Sequence, residues 1–318
     1  MRSRPTRDGY VEGLLEAAGG NDRVVVLEAD VSRSIGSHSF AEQYPDRFFN
    51  LGVSEQDMMA EAAGFALAGF IPFPATYGVF ASGRAWDQIR TSICYMNLDV
   101  KIGGAHGGVS VGPDGATHQA FEDIAIMRVL PNMKILVPAD VSQTKAAVLA
   151  SVDEPGPVYI RFGRNPVPVL YPGDTTVRFG KGDLLAEGDD ITIVACGVMV
   201  SEALKASGKL SRGGIRAGVL NMVSLKPLDG ELLLEQARRT GAVLVAEDHQ
   251  AAGGLYGAVS EFLAVNYPVR MDFVAVRDDF GTSGTPEQVR ERFGLTAEVI
   301  VAKAEALAEG KQGSCVIT

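Results

Sequence analysis

The sequence predicts an α/β protein of two doubly wound domains, each a largely parallel sheet covered on both faces by helices. Short β-branched runs alternate with longer Ala- and Leu-rich stretches along the chain, the rhythm of strand, helix, strand. That rhythm breaks once, over residues 163–176, where Asn165-Pro166, Pro168 and Pro172-Gly173 crowd together, and then restarts. With 318 residues, 46% of them hydrophobic, the chain can bury two cores of ordinary size.

Read in order, the first domain has strands at residues 24–29, 73–77, 100–103, 134–137 and 158–162, with helices such as 56–68 and 142–151 between them. Runs such as Val24-Val25-Val26-Leu27 do not alternate, as expected of strands covered on both faces. The second set has strands at 191–195, 217–220, 243–246 and 273–276, and helices at 200–209, 230–240 and 285–293. These boundaries give a first domain over 1–165, a linker over 166–185 and a smaller domain over 186–318. Neither a low-complexity tract nor a short-period repeat is present.

Charge and composition exclude several classes. Twenty-nine Lys and Arg stand against 39 Asp and Glu, a net charge of −10 with no basic run, so nucleic acid and anionic membranes are poor partners. The three cysteines, Cys94, Cys196 and Cys315, form no C-x-x-C pair, and four histidines are too few to complete a zinc site. Residues 1–10 lack the apolar stretch of a signal peptide, and no run approaches the roughly 20 apolar residues that span a bilayer. A soluble, cytoplasmic protein in a reducing compartment is expected.

Three groups of residues carry the chemistry. Gly52-Val53-Ser54-Glu55-Gln56 runs into a helix rich in small residues, which places Glu55 in the first turn, where an acid also simply complements the helix dipole. Tyr77 and Phe80 follow the second strand and read as core aromatics when taken alone. The segment from Gly104 to Gln119 is a turn-rich loop holding His106, Asp114 and His118; it is neither a dinucleotide fingerprint nor a zinc site. A loop of this kind costs backbone entropy and usually serves a site, the alternative being an Asx-turn with a helix cap at Thr117.

Gly-Val-Ser-Glu-Gln followed by Thr76-Tyr77-Gly78-Val79-Phe80, then Gly112-Pro113-Asp114-Gly115-Ala116-Thr117-His118-Gln119, resembles the pyrimidine-binding domain of the transketolase superfamily. Met127-Arg128-Val129-Leu130-Pro131-Asn132 and Pro138-Ala139-Asp140 extend the likeness. Glu247-Asp248-His249, Gly253-Gly254-Leu255 and Phe280-Gly281-Thr282-Ser283-Gly284 look like the family's C-terminal domain. The likeness runs over nearly the whole chain and implies a natural subunit rather than a fragment.

The resemblance implies thiamine diphosphate as cofactor, with Glu55 sharing a proton with the aminopyrimidine ring nitrogen and so promoting loss of the thiazolium proton. Burial among Tyr77, Phe80 and the helix is expected to favour the protonated acid at Glu55. Tyr77 and Phe80 would pack on the aminopyrimidine, with Asp30 near the cofactor. His106 would face the phosphate end of the donor sugar, Asp114 would read a hydroxyl, and His118 would bond the carbonyl and hydroxymethyl group. Arg7, Ser34 and Arg164 match the family's phosphate-binding positions, with Arg161 a competitor for the last and His38 lying beside Ser34. Two departures from the family pattern, Gly107 in Ala105-His106-Gly107 and Gly83 in place of a bulky residue, bear on sugar preference.

The family's G-D-G motif and later asparagine, which hold magnesium and the diphosphate, are not found; Gly188-Asp189-Asp190 leads straight into a strand. A partner subunit carrying the diphosphate-binding domain and the Mg2+ ligands is therefore implied, with two copies of each chain by analogy. The reading is the C-terminal subunit of a split transketolase, moving a two-carbon ketol unit between sugar phosphates. The alternatives are part of a deoxyxylulose-phosphate synthase, a 2-oxo acid dehydrogenase beta subunit, and a noncatalytic scaffold. The trio of His106, Asp114 and His118 favours transketolase.

Overall fold

The computed structural model describes residues 2–310; Cys315 lies outside them. The first half of the chain runs β1 (Ser3–Pro5), α1 (Thr6–Gly20), β2 (Val24–Glu28), α2 (Ser32–Ile35), α3 (His38–Gln43), β3 (Phe48–Asn50), α4 (Glu55–Leu67), β4 (Ile71–Tyr77), α5 (Trp86–Gln88), β5 (Lys101–Ala105), α6 (Asp123–Arg128), β6 (Lys134–Leu136), α7 (Val141–Val152), β7 (Val158–Phe162) and β8 (Pro166–Pro168). The second half runs β9 (Asp183–Ala186), β10 (Ile191–Ala195), α8 (Met199–Arg212), β11 (Ala217–Asn221), β12 (Ser224–Lys226), α9 (Gly230–Thr240), β13 (Ala242–Gln250), α10 (Leu255–Asn266), β14 (Arg270–Val276), α11 (Pro286–Arg292) and α12 (Ala297–Ala308).

Two sheets result. The larger is ordered β12-β6-β7-β5-β4-β2-β3, and all its pairs are parallel except β12 with β6. The smaller is ordered β14-β13-β10-β11-β9, with only β9 antiparallel. Strands buried on both faces, such as β2 and β10, explain the nearly unbroken apolar runs there, while β5 and β7 are as buried but carry Lys101 and Arg161.

The two halves are not separate bodies laid side by side. After β11 the chain crosses back, and β12 adds an antiparallel edge strand to the larger sheet through Ser224↔Leu136 and Lys226↔Ile135. Division of the sequence at residue 186 gives that strand to the second domain; in space it completes the first sheet. Its three residues, Ser-Leu-Lys, are too few and too polar to read as a strand in sequence. One buried apolar cluster also joins Val25, Met58 and Ile102 to Cys196, Leu220 and Val245.

The connecting stretch is tied down rather than loose. Asp140 caps α7 by accepting the Gln143 amide through Oδ1, and its Oδ2 accepts the amides of Leu170 and Tyr171 at 2.5 and 2.7 Å. A single buried carboxylate thus anchors both a helix start and the linker.

Candidate active site

The parallel strands deliver their C-terminal ends, and the loops that follow them, to one edge of the larger sheet, where open α/β sheets form clefts. Glu55 is the first residue of α4 and only 2% exposed. Its Oε2 accepts a hydrogen bond from Arg84 Nη1 at 2.9 Å, and the Arg84 guanidinium lies 4.5 Å over the Phe80 ring. Glu55 is buried, as expected, but its side-chain partner is a cation rather than the aromatic pair, brought there by the π-helical turn Phe80–Arg84.

Tyr77, at the end of β4, stacks on Phe80 at 6.1 Å between centroids. The two rings form a wall against which both loop histidines pack. His106 lies 4.4 Å from Tyr77, and His118 lies 5.3 Å from Phe80 and 5.9 Å from Tyr77, edge-on. The hydroxyls of Tyr77 and Ser34 are 2.8 Å apart, and Arg7 Nη1 donates to the Ser34 carbonyl at 2.6 Å. Asp114 Oδ2 and Arg164 Nη1 are 3.6 Å apart, both part-exposed. Seven of the residues singled out in the sequence, Arg7, Ser34, Tyr77, Phe80, His106, His118 and Glu55, thus meet in a continuous set of contacts.

His106 is the most constrained of them. It follows β5 with φ +57, in the left-handed region, and its side chain is fully buried with neither ring nitrogen partnered. Burial, and then the positive charges of Arg164 and Arg7, push it down to about 3, so the ring is neutral. A buried imidazole whose nitrogens make no well-formed hydrogen bond, with the Ser34 backbone as their near neighbour, suits a hydrogen-bonding ligand. His118 is half-buried, its Nδ1 2.9 Å from Thr117 Oγ1. No helix starts at Thr117, so the alternative of a cap there is not realised; the next helix begins at Asp123.

Asp30 is exposed with φ +63; its carboxylate accepts from Asn50 Nδ2 at 3.1 Å, and its amide donates to Asn50 Oδ1. It stands on the rim that leads through Gly52 to Glu55 rather than with the histidines. His38 is exposed at the start of α3. Arg161 is withdrawn as a phosphate ligand: it is 4% exposed, and its Nε and Nη1 bind Asp123 and Asp248 at 2.9 and 2.7 Å. Arg164, three residues on and part-exposed, is left for that role.

The departures from the family pattern have structural readings. A Cβ on Gly107 would come within 2.6 Å of Arg161 Nε, which leaves no room for a larger residue beside His106. Gly83 is exposed with nothing within 4 Å of where its Cβ would be. It opens onto an apolar groove lined by Trp86, Ile126 and Val129.

Sequence reasoning missed Arg84, Asp123 and the role of Asp248. Arg84 sits four residues after Phe80, a spacing that puts two side chains on one face of a helical turn and was the available signal. Among the described residues no three His, Cys, Asp or Glu side chains gather as a metal site, and no helix is long and apolar enough to cross a membrane.

Comparison with known proteins shows likeness over nearly the whole chain. Residues 2–169 match the pyrimidine-binding domain of transketolase, and residues 180–300 match the transketolase C-terminal domain. A protein named as a transketolase C-terminal section, from Methanocaldococcus jannaschii, is 41% identical over 92% of this chain and 93% of its own. The 6-deoxy-6-sulfo-D-fructose transketolase subunit SqwH of Clostridium sp. MSTE9 is 42% identical over 96% of this chain and 95% of its own. A solved split-gene transketolase, described as an inactive beta4 tetramer, superposes with a TM-score of 0.90 at 46% identity, covering 98% of this chain and 100% of its own. Deoxyxylulose-phosphate synthases also match, but this chain spans about half of their length. The chain belongs to the transketolase family, as its C-terminal subunit with the pyrimidine-binding and C-terminal domains.

Proposed function

We propose that this chain is the pyrimidine-activating and sugar-binding half of a two-chain transketolase, which moves a two-carbon ketol unit from a ketose phosphate to an aldose phosphate. A partner subunit supplies the diphosphate-binding domain and the magnesium ligands, and two copies of each chain assemble. The observation that carries this reading is His106: a neutral, fully buried ring with no well-formed hydrogen bond at either nitrogen, packed on the Tyr77 ring and within the field of Arg164 and Arg7.

The residues present fit the aminopyrimidine end of thiamine diphosphate, because a buried carboxyl stands beside an aromatic pair at the sheet edge. When bound, that cofactor supplies a carbon nucleophile and a sink for the electrons of the broken carbon–carbon bond. Glu55 holds a proton at the pyrimidine ring nitrogen. His118 hydrogen-bonds the carbonyl and hydroxymethyl oxygens nearest the broken bond, Asp114 selects the hydroxyl next to that carbonyl, and His106 faces the donor toward its phosphate end. Arg7, Ser34 and Arg164 take the terminal anion. An unpaired buried donor or acceptor costs roughly 1–3 kcal/mol, so a contact made by the buried His106 discriminates among sugars that fill it and sugars that do not.

The test is ketol transfer from xylulose 5-phosphate to ribose 5-phosphate, with thiamine diphosphate and magnesium. It is run on this chain alone and then on the chain mixed with the diphosphate-domain subunit. Activity in the mixture alone supports the reading. No transfer in the mixture from any ketose phosphate, or from 6-deoxy-6-sulfo-D-fructose, the sugar in the name of one relative, sinks it.

A further inference from the structure

The second domain sends none of the sugar-binding residues named above, yet it presses on the loop that carries three of them, His106, Asp114 and His118. Beneath that loop lies a buried ion cluster spanning the domain seam. Arg161, on β7, donates through Nε to Asp123 at 2.9 Å and through Nη1 to Asp248, on β13, at 2.7 Å. Its Nη2 donates to the carbonyls of Ala120 and Asp248 at 2.9 and 3.1 Å. The Tyr159 hydroxyl donates to Asp123 Oδ2 at 2.8 Å. Arg161, Asp123 and Asp248 are 4%, 0% and 2% exposed.

The cluster touches the loop at both of its roots. A Cβ on Gly108, where φ is +62, would meet Asp248 Oδ2 at 1.8 Å, and one on Gly107 would meet Arg161. At the other root, Ala120 gives its carbonyl to Arg161 and accepts the Gly108 amide at 3.0 Å. His106 adjoins Gly107, and His118 lies just before Ala120. Nearer the tip, Gln119 Nε2 donates to the Thr282 carbonyl at 3.0 Å, and Ser283 Oγ lies 2.5 Å from where a Gly115 Cβ would be. Replacing a buried ion pair by apolar residues is often neutral for stability, so stability alone does not account for this cluster.

We propose that Asp248, acting through Arg161, is a positioning residue that sets His106 and His118 for the sugar, and that the second domain serves the reaction by bracing this loop. The proposal rests on the sugar-binding reading above for what the histidines do, but the bracing itself is readable in this chain alone.

The experiment compares wild type with Asp248→Asn, and with the milder Gln119→Ala, which removes only the bond to Thr282. Amide hydrogen exchange on the isolated chain is expected to rise about tenfold in residues 107–120 while the strands keep their protection. In the assembly, the ketose KM is expected to rise on the order of 10- to 100-fold, with proton exchange at the thiazolium carbon within about twofold of wild type. Unchanged loop exchange, or a rise spread evenly over all strands, overturns the proposal. If Asp248→Asn does not fold, Gln119→Ala decides by the same readings. Should the wild-type assembly transfer no ketol unit, the reaction reading fails while loop exchange still decides the bracing.

Discussion

Arg84 and Glu55 form an ion pair, 2.9 Å between Nη1 and Oε2, with the carboxylate 2% exposed and the guanidinium 47% exposed. The same guanidinium covers the ring of Phe80. In the proposed reaction Glu55 and Phe80 would hold the aminopyrimidine, so Arg84, which contacts both, would compete with the cofactor for them.

Arg84→Ala therefore speeds association of thiamine diphosphate with the assembled enzyme by about threefold to tenfold, because a competing contact is gone. Stopped-flow quenching of intrinsic fluorescence on cofactor binding reads this rate. A slower rate would mean that the guanidinium helps to hold the cofactor instead. Stability falls by about 1–3 kcal/mol, because the buried Glu55 carboxyl is left without the guanidinium that bonds it.

Glu55→Gln keeps the size of the side chain and the Arg84 contact but cannot share a carboxyl proton. Hydrogen–deuterium exchange at the thiazolium carbon, followed by NMR in the assembly, should fall by about 100- to 10,000-fold. Gel filtration should show the same complex as wild type. Wild-type exchange rates would remove Glu55 from the mechanism.

Arg164→Ala is expected to raise KM for phosphorylated ketoses by about 10- to 100-fold and to leave kcat nearly unchanged, since a distal grip contributes uniform binding. The effect should vanish for a ketose lacking the terminal anion. Steady-state kinetics on the matched pair of sugars makes the comparison.

Glu28 gives a stability effect with a defined sign. It is buried at the end of β2, where loss of hydration pushes it from 4.5 up to about 8, against the hydrogen bond from Ser37 that lowers it. The folded state thus keeps a proton that the unfolded chain releases. The resulting stability is complete below pH 4.5, declines as pH rises and is gone above about 8. Glu28→Gln keeps a neutral side chain at all pH values. In urea unfolding, its gain over wild type should be larger at pH 8 than at pH 5; a gain independent of pH would contradict the buried neutral acid.

His106 acts in the opposite direction. Held at about 3 instead of 6.5, it contributes stability above pH 6.5 that is lost as pH falls toward 3, because the unfolded chain takes up the proton first. His106→Asn should flatten the acid limb of the unfolding profile while raising ketose KM about 10- to 100-fold. An unchanged acid limb would mean that the ring titrates normally in the fold.

Much of the fold is legible in the chain because strands buried on both faces leave unbroken apolar runs. The predicted strands at 158–162 and 191–195 and the helix at 230–240 coincide with those found. Others shift by a residue or more: β4 starts at Ile71, through Pro72, and β13 runs on to Gln250. The short edge strands β1, β3, β8 and β12 were not legible, since three residues carry no periodicity.

By itself the sequence determined the α/β alternation, the family, and which acids, histidines and arginines were worth placing. Those properties live in local spacing and side-chain chemistry. Only the tertiary structure decided that Arg161, on β7, is spent inside a buried cluster while Arg164, just after that strand, stands part-exposed beside Asp114. It alone joined Arg84 to Glu55, and Asp248 to the histidine loop through Arg161, 87 positions earlier in the chain. A charge in sequence has no partner until distant strands are brought into register, and burial then makes that partner decisive for what the residue can do.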